Sequence, residues 1–93
     1  MDQQLKIKKI KDIILSEINA CLELKDIEMI DQIPLQKNVF EVGLDSMDFA
    51  IIVSELESKL NYDPFVLEET PVYPETFSQF LDIYLKYSHK LDK

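Results

Sequence analysis

Apolar and polar positions along this chain of 93 residues repeat with the period of a helix in three places. Nowhere do they alternate as strictly as in a strand. Ile10, Ile13, Ile14, Ile18, Cys21 and Leu22 recur every three or four residues, which sets them on one face of a helix predicted over 3–24. Phe49, Ile52, Val53, Leu56 and Leu60 repeat the pattern and predict a second helix over 46–60. Its core face centres on Phe49, Leu56 and Leu60, with Asn61 as a stop signal and Pro64 as a break. A last helix follows Pro74. It opens on a capping box, Thr76 with Gln79, and carries a stripe of Phe77, Phe80, Leu81, Tyr84 and Leu85.

Between these stretches the pattern weakens. Residues 25–45 form a long connection containing Pro34 and ending near Gly43. Ile27, Ile30, Ile33, Leu35, Val39 and Phe40 are expected to pin it to the core, because an unanchored loop of that length is uncommon in so small a domain. One short helical turn is expected over 66–72, and the tail HKLDK is expected to fray. The expected fold is all-α: a small four-helix bundle of three main helices and one short one, with residues 1–93 as a single domain. No helix can bury its stripe alone, so all three long ones must share one core.

Charge narrows the classes of partner. Ten basic against 18 acidic residues give a net charge of −8, which repels nucleic acid, whose binding requires phosphate neutralisation. The acidity suits basic partner surfaces met by electrostatic steering. Lys6, Lys8, Lys9 and Lys11 run against this trend and are expected to form a solvated helix face rather than a membrane-binding one. The longest apolar run, Phe49 to Val53, is too short to span a bilayer, and MDQQLKIKK lacks the apolar core of a signal peptide. A cytoplasmic protein is expected, and a lone Cys21, which cannot form an internal disulfide, fits a reducing compartment.

The single glycine of the chain stands in GLDSMDF, residues 43–49. Locally, Asp45 or Ser46 is a good N-cap, Asp48 suits the positive end of the helix dipole, and Gly43 permits a sharp turn. A serine hydrolase is disfavoured. The one histidine, His89, falls in the tail, and G-x-S-x-G is absent. His89 alone makes no metal site. On a wheel of about 100° per residue, Met47, Ile51, Ser54 and Ser58 lie opposite the core face of the second helix. Met47 and Ile51 are four apart and so neighbours, fringed by Asp45, Asp48, Glu55 and Glu57. Apolar anchors within a charged fringe suit a transient docking strip. The site so described is a serine at a helix start, beside a docking surface, with neither a general base nor a metal cluster. Another enzyme could modify it.

The stretch V-F-E-V-G-L-D-S-M-D-F, residues 39–49, resembles the attachment motif of the acyl and peptidyl carrier proteins, which reads roughly F-x-x-L-G-x-D-S-[LM]. Phe40, Gly43, Asp45, Ser46 and Met47 match it, and Val42 stands where leucine is commoner. The order of long helix, long loop, serine-led helix, short segment and closing helix is similar over nearly the whole chain. The resemblance implies a four-helix bundle with no catalysis of its own; a free-standing, monomeric carrier without a metal site is expected. A phosphopantetheinyl transferase would join 4′-phosphopantetheine from coenzyme A to Ser46, and the arm would bear its cargo as a thioester. Asp45 would help the transferase handle its metal and coenzyme. Met47, Asp48, Ala50, Ile51, Ser54 and Glu57 would face partners, among them adenylating, acyl-transferring and condensing enzymes.

Two departures bear on the cargo. Ile51, Ser54, Ser58 and Lys59 thin the acidity of the second helix, and N-Y-D-P-F at 61–65 is unlike the housekeeping fatty acid carrier. These favour a specialised biosynthetic pathway over primary fatty acid synthesis, with an amino acid, hydroxy acid or short acyl group as cargo. Phe40, Phe49 and Phe65 are expected to fill a cavity that long chains would otherwise enter. The competing readings are an unmodified acidic helical interaction module, with Ser46 only a cap, and a small acidic regulator of a basic partner.

Overall fold

The computed structural model describes residues 2–92. Helix α1 spans Gln3–Leu24, α2 Ser46–Leu60, α3 Pro64–Leu67 and α4 Phe77–Lys86, and a 3₁₀ turn covers Ser88–Asp92. No strand is present among the described residues. The all-α bundle expected from the periodicity is the observed fold.

The core is shared as the stripes require. Ile10, Ile14, Ile18 and Leu22 of α1, Ile52, Leu56 and Leu60 of α2, and Phe77 and Tyr84 of α4 are fully buried in one cluster. Each α1 residue of this set lies three or four positions from the next, so one face supplies them all. Lys6 belongs to the same stripe, four residues before Ile10, and is buried at 6% exposure. It therefore departs from the solvated face expected of it. Lys8, Lys9 and Lys11 are exposed, and Lys8 pairs with Asp12 at 2.7 Å.

The connection between α1 and α2 is ordered because its polar groups are used. Asn19 of α1 donates to the Ile30 carbonyl and accepts the Ile30 N–H, both at 2.9 Å. Farther along, the Val39 N–H donates to Glu75 O at 2.9 Å, and the N–H groups of Phe77 and Ser78 donate to Lys37 O and Leu35 O at 3.0 Å. Ile27, Ile30, Ile33 and Leu35 pack on the core and Val39 enters it, as expected. Phe40 does not: it is exposed and stands edge-on to Phe49, with ring centroids 5.4 Å apart.

Two boundaries differ from the sequence expectation. The short helix lies at 64–67 rather than 66–72, because Pro64 begins it instead of breaking the chain. Asp63 Oδ1 accepts the Phe65 N–H at 2.9 Å as the N-cap, and proline at the first helical position loses no useful hydrogen bond. The tail forms a 3₁₀ turn through 88–92 where fraying was expected, since Leu91 packs against the core. Asn61 does end α2, in the left-handed conformation at φ 67°.

Candidate functional site

The entrance to α2 is fixed by two aspartates. Asp45 Oδ1 accepts the Asp48 N–H and Asp48 Oδ2 accepts the Asp45 N–H, each at 2.9 Å, a reciprocal capping box. Asp45 is thus the N-cap. Ser46 is the first helical residue, its side chain exposed and not spent on capping. The turn before it needs Gly43, whose φ of 106° lies where side chains are strained. A Cβ there would also come within 2.6 Å of Ile27 Cδ1. That methyl is the tip of a side chain that can turn away, so the backbone angle is the stronger demand.

The loop brings a cation to this turn. Lys25, the C-cap of α1, donates through Nζ to Asp48 Oδ2 at 2.6 Å and stands 3.8 Å from Asp45 Oδ2. The hydrogen bond from Lys25, with the Asp45 N–H, holds the Asp48 carboxyl below its ordinary value, and Asp48 in turn raises Lys25. Side-chain exposure separates the two acids: Asp48 is 16% exposed and Asp45 67%. Behind the turn, Cys21 is buried on the α1 stripe as expected, and burial, then the carboxylates of Asp48 and Glu17, push its thiol upward. Such a thiol is a poor nucleophile.

Beside Ser46 a groove of about 560 Å³ opens, its walls almost wholly apolar. It is lined by Phe49, Ala50 and Val53 of α2, Phe65 of α3, Phe80 of α4, and Val72, Tyr73 and Pro74 of the segment between α3 and α4. Phe49 is only half-buried, although the wheel placed it at the centre of the core face, because its side of α2 looks into this groove. It packs edge-on against Phe80 at 5.4 Å. The rings of Phe40, Phe49 and Phe65 therefore line the cavity that they were expected to fill.

The remaining candidates scatter. Met47 and Ile51 are 73% and 50% exposed. Ser54 and Glu57 are exposed farther down α2, while Ala50 turns to the groove. Asp48 is committed to the cap and to Lys25. His89 lies in the final turn, its ring 6.4 Å from that of Tyr87. Among the described residues no group of three or more His, Cys, Asp or Glu could hold a metal ion. Sequence reasoning missed Lys25, whose one signal was a basic residue at a helix C-terminus. It also missed the wall at 72–74, which has no periodicity to read.

A family model described as a phosphopantetheine attachment site matches residues 9–66, more than half of the chain. The protein belongs to this family. No curated protein and no solved structure matches it. The match takes in most of α1, the pinned loop, all of α2 and the start of α3, and so includes the Gly43–Ser46 turn. A phosphopantetheine carrier domain bears 4′-phosphopantetheine as a covalent group. The residues at this turn suit it: an exposed primary hydroxyl at a helix start, where backbone N–H groups favour an anion, opens onto an apolar groove. Among the described residues no helix is long and apolar enough to cross a membrane.

Proposed function

We propose that the protein delivers an acyl or aminoacyl cargo as a thioester, on an arm joined to Ser46. The carrying observation is the exposed Ser46 side chain at the mouth of the apolar groove, in a chain of the phosphopantetheine attachment family. In the attachment step Ser46 Oγ bonds to the phosphorus that bears pantetheine in coenzyme A. The phosphoanhydride bond breaks, the bisphosphorylated adenosine leaves with the electron pair, and the hydroxyl proton passes to a base of the transferase. Ser46 needs no base of its own for this, in keeping with its surroundings. The thiol that the arm supplies when bound holds the cargo, and tethering raises the local concentration of cargo at partner active sites.

The chain's own residues divide the remaining work. Gly43 and the capping box aim Ser46 outward, and Asp45 offers its open carboxylate to the transferase. Met47 and Ile51 give adenylating, acyl-transferring or condensing enzymes an apolar hold. The groove receives an apolar cargo, or an aromatic one, between encounters. The thinned acidity of α2 favours a dedicated pathway over housekeeping fatty acid synthesis.

Intact-protein mass after incubation with coenzyme A and a broad-specificity transferase tests the reading. Wild-type protein gains about 340 Da and Ser46→Ala gains nothing. If several transferases leave the wild type unchanged, the carrier reading gives way to that of an unmodified interaction module.

A further inference from the structure

The ion pair at the α2 entrance joins residues 23 positions apart and is held from both sides. Lys25 is anchored by its own N–H, which donates to Cys21 O and Leu22 O at 3.2 and 3.1 Å. The chain then reverses at Asp26, φ 58°, and Ile27 packs under Gly43. With its backbone so placed, the side chain reaches Asp48, and its ammonium lies beside Asp45, the residue that precedes Ser46.

Its effect on the two aspartates is unequal. Asp48 Oδ2 takes both the Lys25 ammonium and the Asp45 N–H, and its side chain is largely covered. Asp45 spends Oδ1 on the cap, while Oδ2 stands 3.8 Å from Lys25, beyond hydrogen-bonding distance, and stays open. Of the two acids flanking the serine, one is withdrawn and one is presented. Without Lys25 the turn would carry two carboxylates of like charge with no cation beside them, on a chain of net charge −8. The donor that must reach Ser46 is itself a polyanion.

We propose that Lys25 is a positioning residue for arm attachment: it locks Asp48 into the helix cap, leaves Asp45 as the one presented carboxylate, and offsets negative charge on the path of the phosphate-bearing donor. This rests on the carrier function of Ser46 proposed above. A partner that recognises the turn meets an ammonium and a single carboxylate, so a transferase selected for a turn with two free acids would handle this protein poorly.

The test compares wild type, Lys25→Gln and Lys25→Arg as transferase substrates, with Km and kcat resolved at low and high salt. For Lys25→Gln, kcat/Km is expected to fall on the order of tenfold at low salt, through a higher Km. The deficit shrinks as salt rises, and Lys25→Arg restores most of the loss. Exchange of the Asp45 amide proton, which the Asp48 carboxylate accepts, speeds up in Lys25→Gln and not in Lys25→Arg. Wild-type kinetics for Lys25→Gln, or a loss that Lys25→Arg does not recover although both variants keep their helical circular dichroism, would overturn the proposal and leave the carrier function standing. Failure of the wild type to be modified would remove both.

Discussion

The two sides of α2 that face inward are both built from apolar residues, yet they end differently. Ile52, Leu56 and Leu60 are fully buried against α1 and α4. Phe49, Ala50 and Val53, a fraction of a turn round the helix, look into an open groove. The difference comes from what lies opposite. The first set meets the long stripe of α1 within the core shared by all three long helices, which closes over it. The second meets α4 through Phe49, whose ring packs on Phe77 and Phe80, and otherwise faces the four-residue α3 and the irregular segment that carries Val72, Tyr73 and Pro74, which is too short to close over it. Stability is concentrated on one side of the helix, and room for a ligand on the other.

The contrast is tested most severely by truncation. Leu56→Ala is expected to cost about 2–5 kcal/mol, because it opens a cavity in the closed side. Val53→Ala should cost under about 1 kcal/mol, because it only widens a space already open. Urea denaturation of both variants measures the gap, and equal losses would show that the groove side is as tightly packed as the core.

Alkaline pH probes the closed side through its two buried phenols. Burial pushes the Tyr62 phenol up to about 12 and raises Tyr84 further, while an unfolded tyrosine ionises near ~10. The folded state keeps its phenol protons where the unfolded state releases them. Stability should therefore hold below pH ~10 and fall as pH rises past it. The Tyr84 hydroxyl is buried without a hydrogen-bond partner, whereas the Tyr62 hydroxyl donates to the Tyr84 carbonyl at 2.7 Å. Tyr84→Phe should be neutral or stabilising by up to about 1 kcal/mol at pH 7, and should flatten the alkaline loss. A marked destabilisation at neutral pH would show that the hydroxyl is satisfied by a buried water.

The smallest effect on stability belongs to the outer face. Ile51→Glu is expected to change the unfolding free energy by less than about 0.5 kcal/mol while slowing cargo transfer by the native partner. Thermal melting would expose any hidden packing role for Ile51, and a transfer assay would read its contribution to docking.

The three long helices were legible because a period of three and four survives any detail of packing. The attachment motif was legible because its glycine, aspartate and serine are local to one turn. Much of what escaped was made by contacts between distant parts of the chain, and the rest by a hydrogen bond that residue type alone does not reveal. A wheel placed Phe49 in the core correctly as to side, but it cannot tell a filled side from a hollow one. Pro64 read as a breaker because a proline at the first position of a helix and one that ends a helix look alike until the cap, Asp63, is seen to bond. Lys25 looked like one more basic residue in an acidic chain. Its meaning lay in an aspartate on the next helix.

The hydrogen bonds that fasten residues 35–39 to residues 75–78 bear on how the chain could be cut and rejoined. They tie the later part of the loop to the start of α4, and both partners lie after 31–33, so a cut there spares them; α1 is joined to that segment by the shared core and by the ion pairs of Lys25 with Asp48 and of Lys59 with Glu17. A protease nick around 31–33 would leave α1 and the remaining helices clasped through the shared core and those two ion pairs. Produced as two separate polypeptides, the halves should reassemble on mixing. Each would be helpless alone, and together they would present the serine turn, giving a carrier whose loading could be switched on by bringing its fragments together.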